Sequence, residues 1–184
     1  AAGLRRAVEN GVDDAAHSPR DTIPDDLISL VVERDVALVP TIDVYQLIAE
    51  TNGTAAEWNA TTLPVMYDNL RRFEAAGGTL ALGDDYGGYP GVELGMMSDE
   101  IAHWLAAGLS PMRVISAATE GGATASGIED ETGTLERGKT ADILVVDGDP
   151  LTDMNALERT SLVTHGGEVV FRNRAFSRQL FVFG

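Results

Sequence analysis

The chemistry open to this sequence is set by a small stock of ligating side chains. It contains 3 His and no Cys, so disulfides and thiolate metal sites are excluded, and any metal must be held by imidazole and carboxylate. His17 follows a short segment, 12–16, that reads as a strand. Asp84 and Asp85 follow a nearly all-apolar one, 79–83. Barrels and open α/β sheets carry their reactive groups at the C-terminal ends of strands. A neutral imidazole and a carboxylate are also the ligand types that a catalytic divalent metal takes in the absence of thiolates. A carboxylate beside a metal-bound water can accept its proton as well. Asp85 is therefore a candidate for both roles. Asp84 is its rival, since neighbouring side chains diverge.

Other readings of the same residues stay open at this point. A lone His beside a loop serves more often as a hydrogen-bonded structural residue, and an Asp after a strand often forms a turn or caps a helix. His103 lies mid-helix and His165 at a hairpin, and both read as structural or packing residues. The glycine-rich run 87–91 has no Lys and is too irregular for a phosphate-binding fingerprint. It reads as a substrate-side loop, with Tyr86, Gly88 and Tyr89 as candidate substrate contacts. The stretch 45–59 is the other candidate for substrate contact.

The elements that must position these residues follow from periodicity. Leu4, Ala7 and Val8 have helical spacing that ends at Asn10 and Gly11. A second helix starts near Pro24, with Thr22 or Ile23 at the cap, acids in its first turn, and Leu27, Leu30 and Val31 as the buried stripe. Segment 36–40 reads as a strand buried on both faces. A loop and helical stretch from Tyr45 to about Ala76 packs through Trp58, Leu63, Met66, Leu70 and Phe73. Helices follow over 98–107 and after Ser110, which caps a helix with Pro111 in its first position. This helix–strand alternation through about residue 127 is the rhythm of a parallel α/β fold. The texture then changes to strands: one over 141–147, and a hairpin over 162–171 turning at Gly166 and Gly167.

Composition narrows the partners. The net charge is −16, with Lys139 the only lysine, and such a surface repels phosphate backbones, which argues against nucleic acid. No apolar run reaches membrane-spanning length, and the first residues lack the apolar core of a signal peptide. The expectation is a cytoplasmic protein with a small-molecule partner.

Several segments together resemble the amidohydrolase superfamily, in the branch of imidazolonepropionases and Xaa-Pro and Xaa-Arg/Lys dipeptidases. They are Gly11 through His17, Asp35 through Thr41, Gly78 through Asp85, Ala107 through Met112 with Ala117, Ala118 and Thr119, and above all Gly133 through Ile143, continuing in Asp147 through Leu151. The resemblance covers nearly the whole chain. It departs from the family pattern at Ser18, where Gly is common, and at Asp84, where Thr is common.

The resemblance implies an α/β fold: the C-terminal part of a TIM-like (β/α)8 barrel, about strands 6–8, over residues 1–127, and part of the flanking small β-sandwich over 128–184. It implies a divalent metal, zinc first, with His17 and Asp85 as ligands and Asp85 as proton acceptor, which selects it over Asp84. The implied reaction is hydrolysis of amide, peptide-like or cyclic C–N bonds in a small-molecule or dipeptide-like substrate, by a homo-oligomer. A non-catalytic scaffold of the same fold and a deaminase-type member are the alternatives. The upstream metal ligands of the family are not in this sequence. The chain alone is therefore expected to be inactive and poorly stable, with open strand edges and an exposed apolar face.

Overall fold

Burial against parallel strands organises the first two thirds of the chain. The structure, a computed structural model, describes residues 1–85, 87, 95–173 and 181–183. Helix α1 (Ala2–Glu9) buries Leu4 and Val8 and leads into strand β1 (Asp14–Ala16). Helix α2 (Asp25–Glu33) buries Leu27, Ile28 and Val31 and leads into β2 (Ala37–Val39). The two strands pair in parallel, with Asp14 opposite Ala37 and Ala16 opposite Val39. Helix α2 starts one or two residues later than the sequence implies, with Pro24 itself at the cap position. Ile23 precedes a proline, which disfavours helical backbone, and Pro24 itself is extended with ψ 148°, while the Ile23 N–H is taken by Oδ1 of fully buried Asn69 at 2.9 Å.

Helices α3 (Ile42–Thr51) and α4 (Ala55–Ala75) follow β2. Pro64 removes one backbone hydrogen bond inside α4, yet the helix continues because Trp58, Met66, Leu70 and Phe73 bury against the core on either side of it. The expected third strand is shorter than its apolar pattern implies. It reduces to a parallel bridge between Leu38 and Leu80, with Leu38 donating to the Thr79 carbonyl and Ala81 to the Leu38 carbonyl. On its other side, the Leu82 N–H goes to the Ala117 carbonyl at 3.1 Å. That carbonyl belongs to a π-helical turn, Ala117–Gly121, between α6 (Pro111–Ser116) and α7 (Gly122–Ala125). Ser110 caps α6, its Oγ accepting from the Arg113 N–H, as its position before Pro111 implies. Helix α5 (Ser98–Ala107) buries Glu100, Ile101 and Trp104.

The second part is an antiparallel sheet in the order β5–β4–β3–β6, formed by β3 (Ile143–Val146), β4 (Thr160–His165), β5 (Glu168–Arg172) and β6 (Phe181–Phe183). The Gly166–Gly167 turn between β4 and β5 has φ of 60° and 82°, the double left-handed geometry that makes a two-residue hairpin turn follow the strand twist. Val169, Val170 and Phe171 on the outer strand β5 remain exposed.

The contact between the third strand segment and the π turn generates a test. A Cβ on Gly121 would stand 2.0 Å from the Leu80 carbonyl oxygen, whereas one on Gly122 meets nothing nearer than 3.9 Å. Both glycines have helical φ, −61° and −63°, so only space distinguishes them. Gly121→Ala should destabilise the chain by about 3 kcal/mol, the upper end of overpacking costs. Gly122→Ala should be neutral or stabilise by up to about 1 kcal/mol. Urea midpoints of the two variants measure this.

Candidate functional site

Parallel pairing puts the C-terminal ends of β1, β2 and the Leu80 segment on one edge of the sheet, and three residues there share an uncommon backbone. His17, Thr41 and Asp85 have φ of 66°, 52° and 63°. Left-handed conformations are costly for side chains with a Cβ, and a β-branched Thr is the least suited to them. A fourth, Asp35, follows the last turn of α2. Strain concentrated at three adjacent strand ends marks a place where side-chain direction is imposed by the surroundings.

The directions converge. Thr41 occupies the cap position of α3 but makes no capping bond; its Oγ1 lies 2.8 Å from Nδ1 of His17. This leaves Nε2 of His17 facing Asp85, whose Oδ2 is 4.0 Å away, with both side chains about half exposed. The His17 N–H donates to the Val39 carbonyl and the Ser18 N–H to the Pro40 carbonyl, extending the β1–β2 ladder beyond the strands and fixing where the imidazole emerges. Ser18 is buried. Asp84 and Asp85 diverge as neighbours at a strand end must: Asp84 is 4% exposed and lines a cavity with Asp43, while Asp85 turns to His17.

Beneath this edge lies a carboxyl pair that sequence reasoning missed. Glu100, in the first turn of α5 where acids normally face water, is completely buried. Its Oε1 accepts from the Trp104 indole at 2.8 Å and its Oε2 from the Asp43 backbone N–H at 2.9 Å. The Glu100 and Asp43 carboxyls are also hydrogen-bonded to each other. Glu100 thus holds the first turn of α3, two residues from Thr41, which in turn holds His17. Burial, above all, pushes Glu100 up to about 8 and Asp43 up to about 6. Asp84 adds to the shift of Asp43 by charge repulsion. A helix-start Glu gives no sequence signal of burial; the only hint is Trp104 one turn later.

The remaining candidates fall elsewhere. His103 is part-buried and bonded to the Tyr67 hydroxyl through Nδ1 at 2.8 Å, with burial lowering its pKa. His165 pairs with Asp142 at 3.0 Å on the surface of the antiparallel sheet. Tyr86, Gly88 and Tyr89 lie outside the described residues. Within the stretch 45–59, Tyr45 stands edge-on to His17 with ring centres 6.0 Å apart and tilts against Trp58 at the same distance. Among the described residues no three His, Asp or Glu side chains come together as a metal site, so His17 and Asp85 form a pair. No helix among them is long and apolar enough to cross a membrane.

The buried carboxyl sets a pH dependence. A folded-state pKa raised well above the unfolded value stabilises the fold below about pH 4.5, and the contribution is lost as pH rises through about 8. Asp43, also raised, acts in the same sense. Stability should therefore fall between about pH 5 and 8, by no more than about 1.4 kcal/mol per pH unit for each proton lost. Glu100→Gln, which stays neutral throughout, should flatten that slope, and, because its NH2 cannot accept one of the two N–H bonds that the carboxyl accepts, should lower stability at pH 5 by about 1–3 kcal/mol. Urea denaturation of both proteins at several pH values measures it.

Comparison with known proteins agrees with this architecture. The chain is 26% identical over 172 residues to the ochratoxinase of Aspergillus niger, covering 89% of this chain and 34% of that protein. The crystal structure of a Xaa-Pro dipeptidase with methionine bound in its active site superposes with a TM-score of 0.78 at 28% identity, over 94% of this chain and 43% of the other. The crystal structure of A. niger ochratoxinase superposes with a TM-score of 0.76 at 23% identity, over 93% and 39%; that likeness speaks to fold. The chain spans about a third of the length of the curated relatives it matches and less than half of these solved structures. The profile of the amidohydrolase family matches residues 5–170, and the chain belongs to that family.

Proposed function

We propose that this chain is part of a metal-dependent hydrolase of C–N bonds in small, dipeptide-like substrates and supplies two groups of its catalytic centre, His17 and Asp85. The observation that carries the reading is the 4.0 Å approach of His17 Nε2 to Asp85 Oδ2 at the ends of neighbouring parallel segments. In this reading residues 1–127 are part of a (β/α)8 barrel, at about strands 6–8, and 128–184 are part of the small β-sandwich beside it.

The donor set fits a divalent cation in kind and falls short in number. An imidazole nitrogen and a carboxylate oxygen are ligands suited to zinc, but a catalytic zinc takes about three protein ligands. The others would come from polypeptide beyond these 184 residues, consistent with the share of its relatives that the chain covers. When bound, the metal supplies Lewis acidity, polarising the amide carbonyl and lowering the pKa of a water.

The work of this chain's own residues follows from their positions. For His17 to present a lone pair on Nε2, Nδ1 must carry the proton, and the Thr41 hydroxyl is placed to accept it. Asp85 accepts the proton of the attacking water and returns it to the leaving nitrogen, which would otherwise depart as an unstable amide anion. Its half exposure leaves it reachable by substrate.

The test uses the longer protein that carries this chain. With zinc restored it should hydrolyse Xaa-Pro dipeptides, lose activity to chelators, and lose at least about 100-fold in kcat on Asp85→Asn, the scale of a lost general base. The 184-residue chain alone should neither hold stoichiometric zinc nor turn over. Turnover by the isolated chain, or an unchanged kcat in Asp85→Asn, would contradict the proposal. A zinc-free and inactive longer protein would favour the scaffold reading.

A further inference from the structure

The start of α3 is capped from another helix. A Thr in the position of Thr41 ordinarily turns its hydroxyl back to accept the N–H of the second or third residue of the helix. Here both donors are already taken. The Asp43 N–H goes to Oε2 of Glu100, on α5, at 2.9 Å, and the Val44 N–H goes to Oδ1 of Asp43 at 2.8 Å. Thr41 accordingly makes no capping bond, and its Oγ1 stands 2.8 Å from Nδ1 of His17 instead. Its left-handed backbone, φ 52°, is one that a β-branched residue holds only when its surroundings impose it.

The two carboxyls that replace the Thr41 cap depend on a proton. They are hydrogen-bonded to each other, and since an ionised carboxylate only accepts, at least one of the two must be protonated. Around the pair stand Asp84 at the end of the Leu80 segment, Glu50 on α3, Tyr67 on α4, and Asp99 and His103 on α5. Of these only His103 can become a cation. Burial disfavours that form, and its Nδ1 is bonded to the Tyr67 hydroxyl. No Arg or Lys is among the described residues that line the cavity beside the pair. A second negative charge on the pair would therefore meet like charge with no cation to offset it. With Glu100 pushed up to about 8 and Asp43 up to about 6 by burial, the pair keeps one proton near neutrality and gives it up above about 8.

We infer that Glu100 is a positioning residue of the hydrolase centre: it caps α3 in place of Thr41, leaves the Thr41 hydroxyl to His17, and does so only while it shares a proton with Asp43. The inference rests on the hydrolase reading above and adds to it a control by pH. With one proton or two on the pair, the cap holds. When solvent takes the last proton, the two anions repel, Glu100 is driven toward water, and the Asp43 N–H loses its acceptor. The Thr41 hydroxyl sits in the cap position to replace it, and turning to that N–H takes it away from Nδ1 of His17.

The test is the pH dependence of Xaa-Pro dipeptide hydrolysis by the zinc-loaded longer protein, over the range in which circular dichroism shows it folded. In wild type kcat should fall by up to about tenfold per pH unit above about pH 8, with KM within a few-fold. Glu100→Gln and Asp43→Asn each replace one carboxyl by an amide that donates without titrating, and each should flatten that fall. No alkaline fall in wild type, a fall that persists in a folded variant, or one carried by KM overturns the inference and leaves the hydrolase reading standing. If one variant does not fold, the other decides alone. If wild type cleaves nothing at any pH, the hydrolase reading fails, and the histidine ring-nitrogen resonances of the metal-free longer protein decide the positioning on their own. The His17 signal, identified by its loss in His17→Gln, should shift through about pH 8 in wild type and not in the folded amide variants. Absence of that shift in wild type, or the same shift in the variants, overturns the inference.

Discussion

Everything at the candidate site depends on one constraint, the parallel pairing of three consecutive strand segments. A parallel ladder aligns strand ends, so the residues after each segment must emerge on the same edge, whatever lies between them in sequence. Here 24 residues separate His17 from Thr41, yet their side chains meet. Pairing alone would let each strand run on into an extended loop. The left-handed backbone at His17, Thr41 and Asp85 instead breaks the extended direction at the moment the ladder ends. It turns the imidazole and the carboxylate toward each other, and the strain is offset by the ladder and by the helices packed behind it.

That packing is less apolar than it first looks. Glu100 is buried in the helix layer because its two oxygens are occupied by the Trp104 indole and the Asp43 N–H, which removes the penalty of an unsatisfied buried acceptor. It stays largely protonated near neutral pH because burial disfavours its charge. A neutral carboxyl can also donate to Asp43, so one residue fixes the start of α3, and with it Thr41, whose hydroxyl bonds Nδ1 of His17. Asn69 does the equivalent for the loop after β1, as a neutral amide whose donors and acceptor are all used. Two buried polar residues on separate helices thus position the groups that face the open edge.

Much of this was legible in the sequence, and the misses have physical causes. The apolar runs and their punctuation located α1, α2, β2, α5 and the Gly166–Gly167 hairpin, because period and turn chemistry are local properties. His17 and the Asp84–Asp85 pair stood out because a ligating residue directly after a strand is also a local pattern, and only the family resemblance chose Asp85 from that pair. The third strand was read as longer than it is, since nothing near Leu82 reveals that its N–H is taken by a π-turn carbonyl 35 residues away. Thr41, Glu100 and Asn69 were invisible for the same reason. Their roles exist only through partners distant in sequence, and an acid at a helix start or an Asn in a helix reads as solvated until the packing is known. The boundary of α2 shifted because Pro24 is extended and holds the residue before it out of helical backbone.

The central claim is that His17 and Asp85 meet in order to hold one metal ion. Crystals of the longer protein grown with zinc, with anomalous scattering recorded on both sides of the zinc absorption edge, test it most directly. The account predicts a single strong anomalous peak within bonding distance of His17 Nε2 and an Asp85 carboxylate oxygen, with Nδ1 still on Thr41. A zinc ion bound elsewhere in the protein, with this pair left uncoordinated, would contradict it.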